Sequence, residues 1–163
     1  MSSPSSPSPS HSPDPALLSP GSSPDPTPEL INRAIADAYP GSPFRCAGIG
    51  EGFVLARYDV EPERLRPGGY VSGPTQFGLA DCALWFLSFV ALGRIELMAL
   101  TSELSIRYLR PCVGETVWAR ATLDRIGRRA MVGTVRVWVD DESRPSAVAQ
   151  GSYAIPDPDP DPN

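Results

Sequence analysis

One carboxylate interrupts the most apolar stretch of the sequence. Asp81 lies in TQFGLADCALWFLSFVALG, whose spacing predicts a helix that is apolar on every side and therefore buried all round. An ionised carboxylate without a partner in such surroundings costs several kcal/mol, so Asp81 must be hydrogen-bonded, protonated or at a wet cleft. Perturbed carboxylates in apolar settings are candidates for acid–base or nucleophilic chemistry. The alternative is a helix residue that simply reaches solvent or a polar partner.

The segment Ser72-Gly73-Pro74-Thr75 lies at the mouth of this predicted helix. The start of a helix presents unpaired backbone N–H groups and the positive end of the helix dipole, which suit a developing oxyanion. Gly73 leaves room for an approaching carbonyl, because it has no side chain. A glycine that merely makes a turn is the alternative interpretation.

The distance between Gly73 and Asp81 favours a site shared by two chains. Eight residues of helix at about 1.5 Å each place them roughly 12 Å apart, too far for both to touch one carbonyl. A second copy of the helix, antiparallel to the first, would bring the partner's Asp81 to this Gly73. The spacing therefore predicts a composite site at a dimer interface.

The basic residues exclude several classes of chemistry. All 14 are arginine, which removes Schiff-base enzymes and phosphate-loop lysines. The one histidine, His11, lies in a Ser/Pro-rich segment, so Ser-His-Asp and Cys-His nucleophilic systems are excluded and a catalytic zinc site is disfavoured. No metal or redox cofactor is implied. Acid–base chemistry must then fall to carboxylates.

The charge balance argues against a nucleic-acid or membrane partner. Five of the 19 acidic residues lie in the terminal segments, which leaves 14 acidic against 14 basic residues in the body. A neutral body lacks the basic excess that nucleic acids and anionic membranes attract. The five terminal residues are Asp14, Asp25, Asp157, Asp159 and Asp161.

The pattern along the chain predicts one domain between two disordered tails. Residues 1–26 are mostly Ser and Pro and residues 156–163 are Pro and Asp, compositions too poor in apolar surface to fold. Residues 27–155 begin with the amphipathic helix TPELINRAIADAYP, capped by Thr27. Two strands, the apolar helix and four more strands of period two follow. An antiparallel sheet wrapped around the apolar helix satisfies this order.

Two further features bear on location. The apolar run from Phe77 to Leu92 is shorter than the roughly 20 residues of a membrane span and contains an acid, so a buried helix is favoured over a span. Cys46, Cys82 and Cys112 are odd in number and far apart, which indicates reduced thiols. Together with the absence of a signal-like segment, they predict a cytoplasmic protein.

The sequence resembles a known family. RPGGYVSGPTQFGLADCALW, TSELSIRYLRPCVGETVWARATLDRIGRRAMVGTVRVW and SAVAQGSYAI are similar to the hotdog-fold acyl-CoA thioesterases of the phenylacetic-acid-pathway type, over about residues 53–155. The resemblance implies an α+β fold with about six antiparallel strands around a central helix. It also implies hydrolysis of acyl-CoA to a carboxylic acid and CoA, by a homodimer or homotetramer.

The resemblance also assigns roles. Gly73 N–H would polarise the thioester carbonyl, and Asp81 of the facing subunit would be nucleophile or general base. Thr101 matches the threonine or serine that assists water. Arg128 and Arg129 match the region that holds the CoA nucleotide and phosphates, although solvated surface arginines are the alternative. Further candidates for substrate contact are Ser72, Pro74 and Thr75 at the helix start, with Phe77, Leu84 and Trp85 lining the acyl pocket.

The sequence departs from the family pattern at three places. Ser72 replaces the usual histidine, Pro74 lacks an N–H that relatives have, and Arg66 lies near the place of a common asparagine. These changes leave Asp81 and Gly73 intact but reduce the set of oxyanion donors. A non-catalytic acyl-CoA-binding or sensory dimer is therefore the second interpretation. A hotdog dehydratase is the third and is disfavoured, because those proteins pair a histidine with an acid.

Overall fold

The computed structural model describes residues 24–157, which form two α-helices and one sheet. The helices are α1 (Pro28–Ala38) and α2 (Gly73–Leu92). The strands are β1 (Phe44–Gly50), β2 (Phe53–Asp59), β3 (Leu100–Tyr108), β4 (Thr116–Ile126), β5 (Ala130–Trp138) and β6 (Ala147–Ala154). The predicted disordered tails, 1–26 and 156–163, lie almost entirely outside the described residues.

Helix α1 forms where the sequence predicts it. The Thr27 side chain accepts a hydrogen bond from the Leu30 N–H at 3.3 Å, and a proline occupies the first turn. Ile31 and Ile35, one turn apart, are the buried residues of the helix. This apolar stripe fixes α1 against the neighbouring strand β1.

The six strands form one antiparallel sheet in the order β1-β2-β4-β5-β6-β3. Helix α2 contacts every strand, so the sheet wraps around it. The predicted architecture is confirmed. Strand β3 lies at an edge of the sheet although it precedes β4 in the chain, because it pairs only with β6. The other edge is β1, which α1 covers.

Two glycines allow α2 to approach the sheet closely. A Cβ atom at Gly133 would lie 2.8 Å from one methyl of Leu84, and a Cβ at Gly151 would lie 2.9 Å from the other. Leu84 is completely buried at this contact. The prediction that Leu84 lines an acyl pocket is therefore wrong for the single chain, because its side chain packs between the helix and the sheet.

Helix α2 is not buried all round, contrary to the prediction from its composition. Phe77, Asp81 and Trp85 are spaced four residues apart, on one face, and each remains partly or largely exposed. The other faces carry most of the buried residues, and Phe89, the next residue of the same stripe, is itself buried. Helix α2 is long and apolar enough to cross a membrane, but it packs against all six strands, as the core helix of a globular domain does.

Candidate active site

Asp81 is held by two hydroxyl groups from the sheet. The Thr101 hydroxyl donates to Asp81 Oδ1 at 2.8 Å, and the Tyr153 hydroxyl lies 2.7 Å from the same oxygen. Among the described residues, Oδ2 receives no hydrogen bond. The carboxylate is half-buried, so one oxygen is occupied by the protein and the other is available to a water or a substrate.

The two hydroxyls belong to residues that are paired with each other on adjacent strands. Thr101 on β3 and Tyr153 on β6 are opposite each other in the ladder, and Met131 on β5 pairs with Tyr153 from the other side. Asp81 lies above this row because α2 crosses the sheet there. Thr101 was predicted as a site residue from the sequence. Tyr153 was missed, because in SAVAQGSYAI it fits the pattern of an ordinary strand residue.

A cavity of about 670 Å³ opens beside Asp81. Its apolar walls include Tyr39 after α1, Phe44 on β1 and Trp85 one turn along α2. The rings of Tyr39 and Trp85 meet edge to face, with centroids 5.4 Å apart. The cavity has the size and the mixed lining of a small-molecule site, with a few polar groups in an apolar surround.

The thiol of Cys82 lies in the same cavity but is not activated. Burial, reinforced by the charge of Asp81, raises the pKa of Cys82 to about 12. The thiolate is the nucleophilic form of cysteine, so Cys82 stays an inert thiol at neutral pH. Asp81, in contrast, offers this cavity a carboxylate oxygen that accepts no hydrogen bond from the described residues.

The start of α2 is shaped by its cap. Ser72 Oγ accepts from the Thr75 N–H at 3.2 Å and lies 2.8 Å from Thr75 Oγ1. Pro74 occupies the second helical position and has no N–H. Among the described residues no acceptor is hydrogen-bonded to the N–H of Gly73, which is one of the groups that a helix start leaves unpaired. Ser72 and Thr75 therefore complete the helix cap, and the Gly73 N–H remains an available donor.

Tyr108 packs over Gly73. Its hydroxyl donates to the Gly73 carbonyl at 2.8 Å, and a Cβ at Gly73 would lie 3.1 Å from the ring. Gly73 and Tyr108 line a second cavity of about 350 Å³, together with Tyr70 and Arg110. A side chain at Gly73 would therefore require the Tyr108 ring to shift by a small distance.

The structure brings some predicted residues together and leaves others apart. Asp81, Thr101 and Trp85 share the larger cavity, whereas Gly73 lines the smaller one. Phe77 is 37 % exposed on the α2 face that carries Asp81, but it does not line the larger cavity. In a single chain, the carboxylate and the free amide are therefore in separate cavities.

The two arginines of the β4–β5 turn are exposed. Arg129 forms a long ion pair with Asp157, with Nη2 and Oδ2 3.6 Å apart, and its carbonyl accepts from the Ile155 N–H. The turn precedes Ala130, which pairs with the residue next to Tyr153. Arg128 and Arg129 therefore lie at the end of the sheet where the Asp81 hydrogen bonds are made.

Comparisons with known proteins identify the family of the chain. The family model described as the thioesterase superfamily matches residues 68–146, which include the start of α2, Asp81 and Thr101. No curated protein matches the sequence. The structure of a candidate thioesterase from Silicibacter sp. TM1040 is similar with a TM-score of 0.71 and 30 % sequence identity, over 79 % of this chain and 91 % of that one.

Two further solved structures share the fold at lower identity. One is a Streptococcus mutans protein bound to acetyl-CoA, with a TM-score of 0.60, 22 % identity, and coverage of 72 % of this chain and 91 % of that one. The other is the Escherichia coli PaaI protein of the phenylacetic acid degradation operon, with a TM-score of 0.60, 23 % identity, and coverage of 77 % and 91 %. The chain belongs to the thioesterase superfamily and has its hotdog fold.

Proposed function

We propose that this protein hydrolyses acyl-CoA thioesters to a carboxylic acid and CoA, with Asp81 as the reacting carboxylate. The observation that carries the proposal is the position of Asp81. Its Oδ1 accepts two hydrogen bonds, while its Oδ2 is available beside an apolar cavity large enough for an acyl group. The acetyl-CoA bound by the Streptococcus mutans protein supports a CoA thioester as the substrate class.

Asp81 serves the reaction by one of two routes. It attacks the thioester carbonyl to form an anhydride, or it deprotonates the water that attacks. Both routes begin with an ionised carboxylate and an available oxygen. Thr101, whose hydroxyl proton is directed to Asp81, keeps lone pairs with which to orient a water beside that oxygen.

The oxyanion donor in this proposal comes from a second chain. Gly73 and Asp81 are separated by eight residues of α2, roughly 12 Å along the helix, and line different cavities. Two copies of α2 packed antiparallel along the exposed face with Phe77 place one chain's Gly73 N–H near the partner's Asp81. The helix dipole then adds to the stabilisation of the developing negative charge.

Strand β3 is the edge through which we propose that the dimer forms. It has no second neighbour in the sheet of the described chain, and the apolar residues around it are exposed: Met98 at 67 %, Leu100 at 62 % and Leu109 at 50 %. An uncovered apolar edge strand is a template for pairing with another chain. Pairing of two β3 strands covers these side chains and joins the two sheets. Association of such dimers into a homotetramer would use another surface, because the pairing of the β3 strands occupies this edge.

The remaining substrate contacts follow from the positions of the side chains. Tyr39, Phe44 and Trp85 surround the space next to Asp81, which suits a medium, aromatic or branched acyl group. Arg128 and Arg129 lie at the same end of the sheet, where guanidinium groups pair with the phosphates of CoA. Membership in the phenylacetic-acid-pathway type of thioesterase is part of this proposal.

The test is the release of free thiol from a panel of acetyl-, octanoyl-, isovaleryl- and phenylacetyl-CoA. We expect turnover of at least one of these by the wild-type protein, and a fall in kcat of about 10³-fold in Asp81→Asn, because loss of a catalytic acid or base costs about 10² to 10⁴. Asp124→Asn is the matched control, since Asp124 is exposed on β4 and lines neither cavity.

A non-catalytic acyl-CoA-binding dimer is the second candidate, and the proline at the second position of α2 favours it. Pro74 removes one amide from the proposed oxyanion site. If the wild-type protein binds CoA in calorimetry but releases no thiol from any thioester, the binding function replaces the hydrolytic one.

A further inference from the structure

We propose that Tyr153 is a positioning residue for the reaction, because its hydroxyl fixes the orientation of the Asp81 carboxylate and so directs one of its oxygens to the substrate. This inference rests on the proposed role of Asp81. The Tyr153 hydroxyl lies 2.7 Å from Asp81 Oδ1 and 3.0 Å from the Asp81 carbonyl oxygen. It therefore contacts both the carboxylate and the turn of α2 that carries it.

The side chain of Tyr153 is held more rigidly than that of Thr101, the other residue whose hydroxyl donates to Asp81. Its side chain is 3 % exposed, and β6 is held between β5 and β3 on both sides. Thr101 is exposed in the single chain and lies next to a break in the β3–β6 register between Thr101 and Glu103. A buried donor on a central strand loses little freedom when it holds a carboxylate, so the rigid contact is the one from Tyr153.

The Tyr153 hydroxyl remains a donor at any pH at which the protein works. Burial raises the pKa of Tyr153 well above its usual range, and the negative charge of Asp81 raises it further. A protonated phenol can donate to the carboxylate, whereas a phenolate would repel it. The Tyr153 phenol therefore keeps its proton near neutral pH.

The consequence for Asp81 is a defined orientation. With two donors on one oxygen, partial rotation of the carboxylate would weaken both hydrogen bonds, so the other oxygen is held toward the water or the thioester. Without Tyr153 the carboxylate is held only by Thr101, which lies next to the break in the β3–β6 register. The fraction of molecules with Oδ2 in place then falls, and the chemical step slows while substrate binding is retained.

The experiment compares Tyr153→Phe with Tyr58→Phe. Both variants remove one hydroxyl from a buried tyrosine of the sheet, and the Tyr58 hydroxyl contacts the Glu61 N–H rather than the site. We expect Tyr153→Phe to lower kcat by about 10 to 100 fold, the size of effect that a misplaced reacting group produces, with KM changed by less than about threefold. Tyr58→Phe should keep the wild-type kcat and KM.

A second measurement tests the same inference without turnover. In a crystal structure of Tyr153→Phe we expect the Asp81 carboxylate to rotate or to occupy two orientations, while Tyr58→Phe keeps the wild-type one. A single unchanged carboxylate orientation, or a kcat of Tyr153→Phe within twofold of wild type, overturns the role of Tyr153. Failure of the proposed function gives a different result, because the wild-type protein itself then releases no thiol.

Discussion

The middle and the start of α2 each hold half of the groups that thioester hydrolysis requires. The middle presents an acid, Asp81, whose orientation is fixed by hydroxyls from two strands, beside an apolar cavity. The start presents an amide donor at Gly73, whose surroundings are shaped by a serine cap and by Tyr108. Because the two regions are roughly 12 Å apart on one rigid helix, the proposed mechanism requires a second chain to bring them together.

Disruption of the proposed dimer edge should lower the activity more than the other substitutions described below. In Met98→Glu/Leu109→Glu we expect a monomer with less than about one hundredth of the wild-type kcat/KM, because the charges are placed on an apolar edge that pairs with itself. Light scattering gives the mass and thiol release gives the activity.

The same double variant should fold normally, since both side chains are exposed in the single chain. Met98→Gln/Leu109→Gln is the matched control for charge and should weaken the dimer less. A folded monomer with full activity would show that one chain holds a complete site.

Gly73→Ala should have the next largest effect. The added methyl would lie 3.1 Å from the Tyr108 ring, so Gly73 and Tyr108 move apart and the Gly73 N–H loses its direction. We expect kcat to fall by about 10 to 100 fold, somewhat less than complete loss of an oxyanion donor. Steady-state kinetics measures the fall.

Gly48→Ala is the control for Gly73→Ala, because a Cβ at Gly48 meets a single atom of Leu55 at 3.8 Å, an ordinary contact. Its kcat should stay at the wild-type value. Full activity of Gly73→Ala would remove Gly73 from the proposed site.

Substitution of Arg128 and Arg129 in the β4–β5 turn should have the smallest effect, and it should change KM rather than kcat. In Arg128→Ala/Arg129→Ala we expect KM for acyl-CoA to rise by about tenfold with kcat unchanged, since each arginine–phosphate hydrogen bond lost contributes about 1.5–3 kcal/mol when buried and less at an exposed turn. Arg125→Ala, on the same hairpin, is the control. An unchanged KM would identify the two arginines as solvated surface residues.

Much of the fold was predictable from local patterns. The cap at Thr27, the apolar stripe of α1 and the period-two strands each follow from a few neighbouring residues, and the structure has these elements within a few positions. Asp81 was also recognisable, because an acid in an apolar helix is conspicuous against its neighbours. These features depend on residues close together in the sequence.

What escaped prediction depends on how distant segments meet. Tyr153 is recognisable as a site residue only when β6 is placed beside β3, so that its hydroxyl joins that of Thr101. The exposed face of α2 escaped for the same reason, because composition shows that a helix is apolar but not which side the sheet leaves uncovered. Leu84 was predicted to line the pocket. Its side chain packs against the sheet instead, where Gly133 and Gly151 leave room for it.

The central claim is that Asp81 of one chain acts with Gly73 of another, and a mixed dimer tests it most directly. Asp81→Asn and Gly73→Ala chains with different affinity tags are co-expressed, and the heterodimer is isolated through both tags. One of its two sites combines the two substitutions, whereas the other is wild type. We predict about half of the wild-type kcat per dimer. Activity no higher than the mean of the two parent variants would contradict the shared site.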